Sequence, residues 1–278
     1  MPPRSPDTVR IATLNVNGIR AAVRRGFGDW LARTDPDVVC LQEVRAKAAD
    51  IPESAFDGYH VAYHEGNLAG RNGVAVLTRQ PPTAIRHGFG SAEFDEQGRY
   101  IEVDLPGLTV ASLYLPKGDV LGERLESKAR FMKELAAHTD RMARQAVLTG
   151  AEYVVSGDYN IAHAEVDHKS WKANLRSVGF LPHERQWMGE LVASGRRDGL
   201  VDVLRVLHPG VDGPYTWWSW RGKAFDNDSG WRIDLQIATP GLAARAIGGW
   251  VDKEPSYAQR LSDHAAVVVD YRTGTTSG

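Results

Sequence analysis

Four apolar runs in this 278-residue chain abut polar groups able to bind a cation, move a proton or hold an oxyanion. Val9 to Leu14 leads into Asn15-Val16-Asn17-Gly18, Val38 to Leu41 into Gln42-Glu43, and Val154-Val155 into Gly157-Asp158-Tyr159-Asn160. Ser262-Asp263-His264 stands before the last apolar run. Turn residues are ordinary at strand ends. Taken one at a time, each segment has a plain structural reading. Asn15 and Asn17 could cap a helix starting near Ile19. Glu43 could be a solvated strand end, Gly157-Asp158 a tight turn, and Asp263-His264 a surface pair. Brought together, they would set several carboxylates side by side, which is costly unless a cation or a shared proton offsets the repulsion. Carboxylate and amide oxygens suit a hard divalent ion such as Mg²⁺ or Mn²⁺.

The pattern predicts the elements that would position these groups. Strands are expected at Val9 to Val16, Val38 to Gln42, Gly73 to Thr78, Tyr100 to Leu105, Leu108 to Leu115 and Tyr153 to Ser156. Three more close the chain, at Tyr215 to Trp218, Ile233 to Thr239 and Ala265 to Asp270. Leu105-Pro106-Gly107-Leu108 reads as a hairpin turn. Ile19, Val23, Trp30 and Leu31 fit one helix after the first strand. Leu121, Leu125, Met132, Leu135 and Met142 mark a long helix, and Arg185 to Ser194 a further one. Strands and helices mixed without strict alternation predict two packed sheets with helices outside.

Composition narrows the class. Hydrophobic residues make up 42% and charged residues 24%, which fits a folded domain and excludes disordered or collagen-like chains. With 33 basic and 35 acidic side chains there is no general basic coat, although a local basic face stays open. Cys40 is the one cysteine, so no internal disulfide forms, and its apolar neighbours predict a buried strand thiol. Met1 to Arg10 is polar without an apolar leader, and runs such as Ala265 to Val269 are too short to span a bilayer. The expectation is a cytoplasmic monomer with no membrane partner, one domain over residues 1–272 and a disordered tail at 273–278.

Five segments carry a resemblance: Thr13 to Arg20, Cys40-Leu41-Gln42-Glu43, Gly157 to His163, Trp231-Arg232-Ile233-Asp234 and Ser262-Asp263-His264. Together they resemble the exodeoxyribonuclease III group, the class II AP endonucleases, within the endonuclease/exonuclease/phosphatase superfamily. Gly179 to Leu191, with Phe180, Glu184, Arg185 and Gln186, is similar to the same group, and the likeness runs from about Arg10 to Asp270. The resemblance implies an α/β (α+β) fold: a four-layer α-β-β-α sandwich, two mixed sheets flanked by helices. It also implies a divalent-metal-dependent phosphodiesterase that repairs double-stranded DNA. Such an enzyme would hydrolyse the backbone 5′ of abasic sites, clear blocked 3′ ends and degrade duplex from 3′ ends.

The resemblance also implies roles for individual residues. Glu43 would be the main metal ligand, with Asn17 and Asp263 nearby and Asn15 supporting, while Asp158, Asn160 and His264 adjoin the same metal site. Asp158 would orient or deprotonate the attacking water. Asn160 and Tyr114 would hold the phosphate, His264 would contact a non-bridging oxygen, and Asp234 would fix the imidazole. Trp217, Trp231 and Ile233 would wall a small pocket for a flipped-out abasic sugar. Strand alternation separately predicts Trp218 and Trp220 on one face and Trp217 on the other.

Candidate phosphate contacts are cations in loops near these segments: Arg20, Arg24, Arg25, Arg45, Lys47, Arg99, Lys169, Lys172, Arg221 and Lys223. The sequence departs from the group at Lys117, where some relatives carry asparagine or glutamine, and at Val44-Arg45, where threonine and lysine are common. Both departures are expected to leave catalysis alone and to bear on strand preference. Two rival readings are a superfamily phosphatase or phosphodiesterase on a non-DNA substrate and a catalytically silent DNA-binding module. The Trp231 to Asp234 block disfavours the first, and the full set of polar residues disfavours the second. A zinc site at His163, His168 and His183 is disfavoured by irregular spacing and the lack of a second cysteine.

Overall fold

Strand alternation sorts the apolar side chains into three layers of packing. The computed structural model describes residues 7–68, 70–119, 121–192 and 199–274. Its strands are β1 (Thr8–Asn15), β2 (Val38–Gln42), β3 (His60–His64), β4 (Val74–Thr78), β5 (Ala84–His87), β6 (Tyr100–Leu105), β7 (Leu108–Tyr114), β8 (Glu152–Asp158), β9 (Val201–Asp202), β10 (Asp234–Ala238), β11 (Ala246–Asp252) and β12 (Ala266–Arg272). The helices are α1 (Ile19–Arg24), α2 (Phe27–Thr34), α3 (Glu123–Thr149), α4 (Pro182–Leu191), α5 (Val203–Leu207) and α6 (Pro240–Ala243). One six-stranded sheet has the order β11-β12-β1-β2-β4-β3, and the other β5-β6-β7-β8-β10-β9.

Ile11, Val267 and Val269 of the first sheet meet Val110, Val154 and Ala238 of the second between the sheets. The alternate residues Ala12, Leu14 and Val268 face Ile19, Ala22, Trp30 and Leu31 of α1 and α2. On the far side, Leu113, Val155 and Ile237 pack on Phe131, Leu135 and Met188 of α3 and α4. The result is the expected helix–sheet–sheet–helix sandwich. Cys40 is buried between the sheets, as its neighbours predicted.

Strand register brings the polar ends together. β1 and β2 run parallel with Asn15 opposite Gln42, and β7 and β8 run parallel with Tyr114 opposite Asp158. β10 is antiparallel to β8, so Asp234 at its start lies opposite Asp158 at β8's end. β12 is antiparallel to β1, which delivers Asp263 and His264 to the same end of the sandwich. Gly157 allows the close β7–β8 approach there, since a Cβ on it would lie 2.0 Å from the Leu113 carbonyl oxygen.

Several expectations are corrected. The single helix after β1 is two, broken at Gly26, whose φ of 97° ends one and starts the next. Tyr215 to Trp218 is not a strand; Trp217 makes isolated bridges to Trp231 and His264 instead. Leu121 precedes α3 and is exposed. The helix expected at Arg185 to Ser194 begins earlier, at Pro182, and Ser194 lies outside the described residues. Of the tail expected to be disordered, Thr273 donates backbone and hydroxyl bonds to the Asp7 carbonyl, and residues 275–278 lie outside the described residues. No described helix is long and apolar enough to cross a membrane.

Candidate active site

The side chain of Asn15 spans the two sheets. Its Nδ2 donates to Glu43 Oε1 at 2.7 Å and to Asp158 Oδ2 at 2.9 Å, while its Oδ1 accepts the Asn17 amide at 3.0 Å. Helix α1 receives no side-chain cap, so the capping reading of Asn15 and Asn17 fails. Asn17 donates to Asp263 Oδ1 at 2.8 Å, and the indole of Trp217 donates to Asp263 Oδ2 at 3.1 Å. Asp263 thus ties the carboxylate cluster to the aromatic wall. Asp158 Oδ1 accepts the Asn160 backbone amide at 2.8 Å, and the Asn160 side chain donates to the Leu115 carbonyl at 2.9 Å.

Four site residues, Asn17, Glu43, Arg45 and Asn160, hold positive φ of 45°, 51°, 52° and 48°. Non-glycine residues rarely adopt this conformation, and it turns their side chains off the strand ends into one cavity. The cavity is about 370 Å³ and is lined by those four residues, Tyr114, Lys117, Asp158, Asp263 and His264, and by Trp217, Trp231 and Ile233.

Carboxylates crowd one another in this cavity. Asp158, fully buried, is pushed up to about 7 by burial and by the Asp234 and Glu43 carboxylates, although His264 opposes them. His264 Nδ1 lies 2.8 Å from Asp234 Oδ2, and its Nε2 is 3.9 Å from Asp158. Burial disfavours the imidazolium, but Asp234 and then Asp158 outweigh it and raise the pKa to about 10. His264 is therefore a charged donor at neutral pH, not a surface group. Burial, then Glu43 and Asp158, drives the Tyr114 phenol far above its ordinary value, so it stays protonated.

Glu43, Asp158 and His264 offer ligand atoms within 4.8 Å of one another. Two buried carboxylates oriented by an amide, one of them forced toward its acid form, are a donor set that fits a divalent cation. In the metal-free site the imidazolium's Nε2 carries a proton, so the carboxylate oxygens are the donors on offer there.

Most of the expected site residues converge, and some expected contacts lie elsewhere. Arg99 does not line the cavity; its guanidinium lies 5.0 Å over the Tyr114 ring and donates to the Tyr114 carbonyl at 3.4 Å. Arg20, Arg24, Lys47, Lys169, Lys172, Arg221 and Lys223 are exposed. Arg25 lies 5.3 Å over the Trp220 ring. Trp218 is buried against Phe225, whereas Trp220 is partly exposed against Tyr257, so the two do not share one environment. His168 lies against Trp231 with centroids 3.9 Å apart and the rings tilted by 32°, and no zinc cluster forms among the described residues.

Arg45, expected as a phosphate contact, lines the cavity, and its guanidinium donates to Glu43 Oε2 and, at 2.6 Å, to Asn17 Oδ1. Lys128 was not anticipated. It is buried, pairs with buried Glu184 at 2.6 Å, and donates to the Asn160 carbonyl at 3.1 Å. Glu184 in turn accepts the Gly179 amide at 2.7 Å. At Gly179 a Cβ would lie 2.9 Å from the same Asn160 carbonyl. The readable signal was a lysine at helical spacing among Leu125, Met132 and Leu135, on the buried face of α3.

Comparison with known proteins agrees with this geometry. The model of the Endonuclease/Exonuclease/phosphatase family matches residues 12–264. An exodeoxyribonuclease from Bacillus subtilis (strain 168) is 31% identical over 235 residues, covering 84% of this chain and 89% of the relative. An AP endonuclease structure from Archaeoglobus fulgidus superposes with a TM-score of 0.83 at 30% identity, covering 95% of this chain and 99% of that one. A 3′–5′ exonuclease from Neisseria meningitidis gives a TM-score of 0.85 at 28% identity, covering 95% and 100%. The family model takes in every strand end that lines the cavity, and this chain belongs to the endonuclease/exonuclease/phosphatase family.

Proposed function

We propose that this protein is a DNA-repair nuclease that hydrolyses the phosphodiester 5′ of abasic sites in duplex DNA. In this reading it also clears blocked 3′ ends and removes nucleotides from 3′ ends. It acts as a single-domain, cytoplasmic monomer. The observation that supports it most is one cavity holding both a hydrogen-bonded carboxylate cluster and an aromatic wall, joined through Asp263.

Mg²⁺ or Mn²⁺ would be held by Glu43, with Asp158, Asn17 and Asp263 nearby, Asn15 orienting the Glu43 and Asp158 oxygens and Asn17 an Asp263 oxygen. When bound, the ion supplies Lewis acidity at the phosphoryl oxygens. The chain's own groups do the rest. Asp158, oriented by Asn15 and the Asn160 amide, positions the attacking water and takes its proton. The neutral phenol of Tyr114 and the imidazolium of His264 are donors for the charge that develops on phosphate, and Asn160 would join them on releasing its 3.3 Å bond to Asp158. Asp234 holds that imidazolium through Nδ1, leaving Nε2–H to face the cavity. Trp217, Trp231 and Ile233 give a wall that admits a sugar without its base, and extrusion is easier when no base must be unstacked.

A duplex with one abasic site tests this directly. With Mg²⁺ the expected product is a single incision 5′ of the site, lost in EDTA and in Asp158→Asn. A β-elimination product, or intact DNA that nevertheless binds tightly, would refute the reading.

A further inference from the structure

Resting on the reading of Glu43 as the cation ligand, we infer that Arg45 is a counter-ion that the metal displaces, and that its freed guanidinium then holds substrate phosphate. Most carboxylate oxygens around the cluster already accept a hydrogen bond. Glu43 Oε1 and Asp158 Oδ2 accept from Asn15, Asp158 Oδ1 accepts from Asn160, and Asp263 accepts from Asn17 and Trp217. Glu43 Oε2 and Asn17 Oδ1 receive no bond from those amides or the indole, and the two arms of Arg45 take both.

These are the oxygens a hard ion would seek, and a guanidinium and a divalent ion cannot share them without mutual repulsion. The Arg45 side chain is 41% exposed at the mouth of the cavity, so it has room to swing away from Glu43. Once released, it stands beside Lys117 on the cavity wall, where its planar fork suits two phosphate oxygens. Metal binding would thereby create part of the DNA grip.

The first test is Mn²⁺ titration of the EDTA-stripped full chain, following free ion by electron paramagnetic resonance. Removing a like charge this close should tighten Mn²⁺ binding by about tenfold in Arg45→Ala. Arg45→Lys should fall between Arg45→Ala and the parent, and Glu43→Gln should bind at least about tenfold more weakly. Unchanged or weaker binding in Arg45→Ala, with Glu43→Gln still defective, overturns the competition and leaves the Glu43 site standing. Unchanged binding in Glu43→Gln overturns the site and the inference together.

The second test uses an abasic duplex with a charged, non-hydrolysable methylenephosphonate at the scissile position, read by fluorescence anisotropy. Arg45→Ala should weaken DNA binding by about fivefold with Mn²⁺ and by less than about twofold in EDTA. An equal loss under both conditions overturns the release step.

Discussion

Two regions of this protein bury a carboxylate beside a histidine and a tyrosine, and they shift that carboxylate in opposite directions. At the end of the sandwich away from the strand-end cluster, a cavity of about 590 Å³ is lined by Arg86, Glu102, His138 and Tyr153. Glu102 there accepts from Tyr100 at 2.8 Å, from Arg86 and from His138, and Tyr100 meets Tyr153 at 2.8 Å. Burial opposes ionisation of Glu102, but His138 and Arg86 outweigh it and hold its pKa below the ordinary value. Asp158 is shifted the opposite way, and Asp234 keeps a buried oxygen without a hydrogen-bond partner. The Glu102 carboxylate is compensated by its neighbours, and the Asp158 carboxylate is crowded by others. That crowding, rather than volume or residue type, singles out the candidate site.

The strongest attempt to break this contrast is to neutralise each carboxylate in turn. Asp158→Asn should slow single-turnover incision by roughly 10²–10⁴-fold, whereas Glu102→Gln should leave the rate within about threefold. A comparable loss from Glu102→Gln would erase the distinction.

Stability should move the other way. Breaking the buried Glu102 network should cost about 3 kcal/mol in urea unfolding. Asp158→Asn in EDTA should be more stable than the parent at neutral pH. The folded pKa of Asp158 is about 7 against an ordinary 3.8, so its penalty grows as pH rises through that window and vanishes below it. The Glu102 contribution is instead present above its unfolded pKa, about 4.5, and is lost as pH falls through the lower folded value. Parallel unfolding curves for both variants across pH 4 to 8 check the two signs.

A smaller effect concerns selectivity. Trp217→Ala should reduce cleavage at abasic sites about tenfold more than degradation of undamaged duplex, measured on matched substrates. Equal losses would detach the aromatic wall from lesion choice. Least of all, Arg20→Ala should weaken DNA binding by less than about threefold and lower the salt slope by about one. An unchanged slope would remove Arg20 from the interface.

Central elements were legible in the sequence because burial imposes their pattern. β2 and β4 read as continuous apolar runs and are buried along their whole length. The edge strands β3 and β5 and the glycine-containing β11 were missed, since their side chains are largely half-buried or exposed and ladder pairing supplies their order. Tyr215 to Trp218 misled for the converse reason. Its aromatics favour strands, yet the segment is held by Trp217 bridges and by Thr216, whose hydroxyl accepts the Ile233 and Asp234 amides. The cluster residues were legible by type and position, and Arg45 was legible as a phosphate contact but not as a partner of Glu43. Only the positive φ at Glu43 and Arg45 turns that guanidinium back onto the carboxylate two residues before it.

The order of strands in the first sheet has a kinetic consequence. β1 to β4 come from one part of the chain and β11 and β12 from another, with the whole second sheet between them in sequence. The β1–β12 pairing that seats His264 therefore closes a loop of more than two hundred residues, and such distant pairings form slowly. During refolding, nuclease activity should return with the slowest phase, after helical signal and most of the second sheet have recovered.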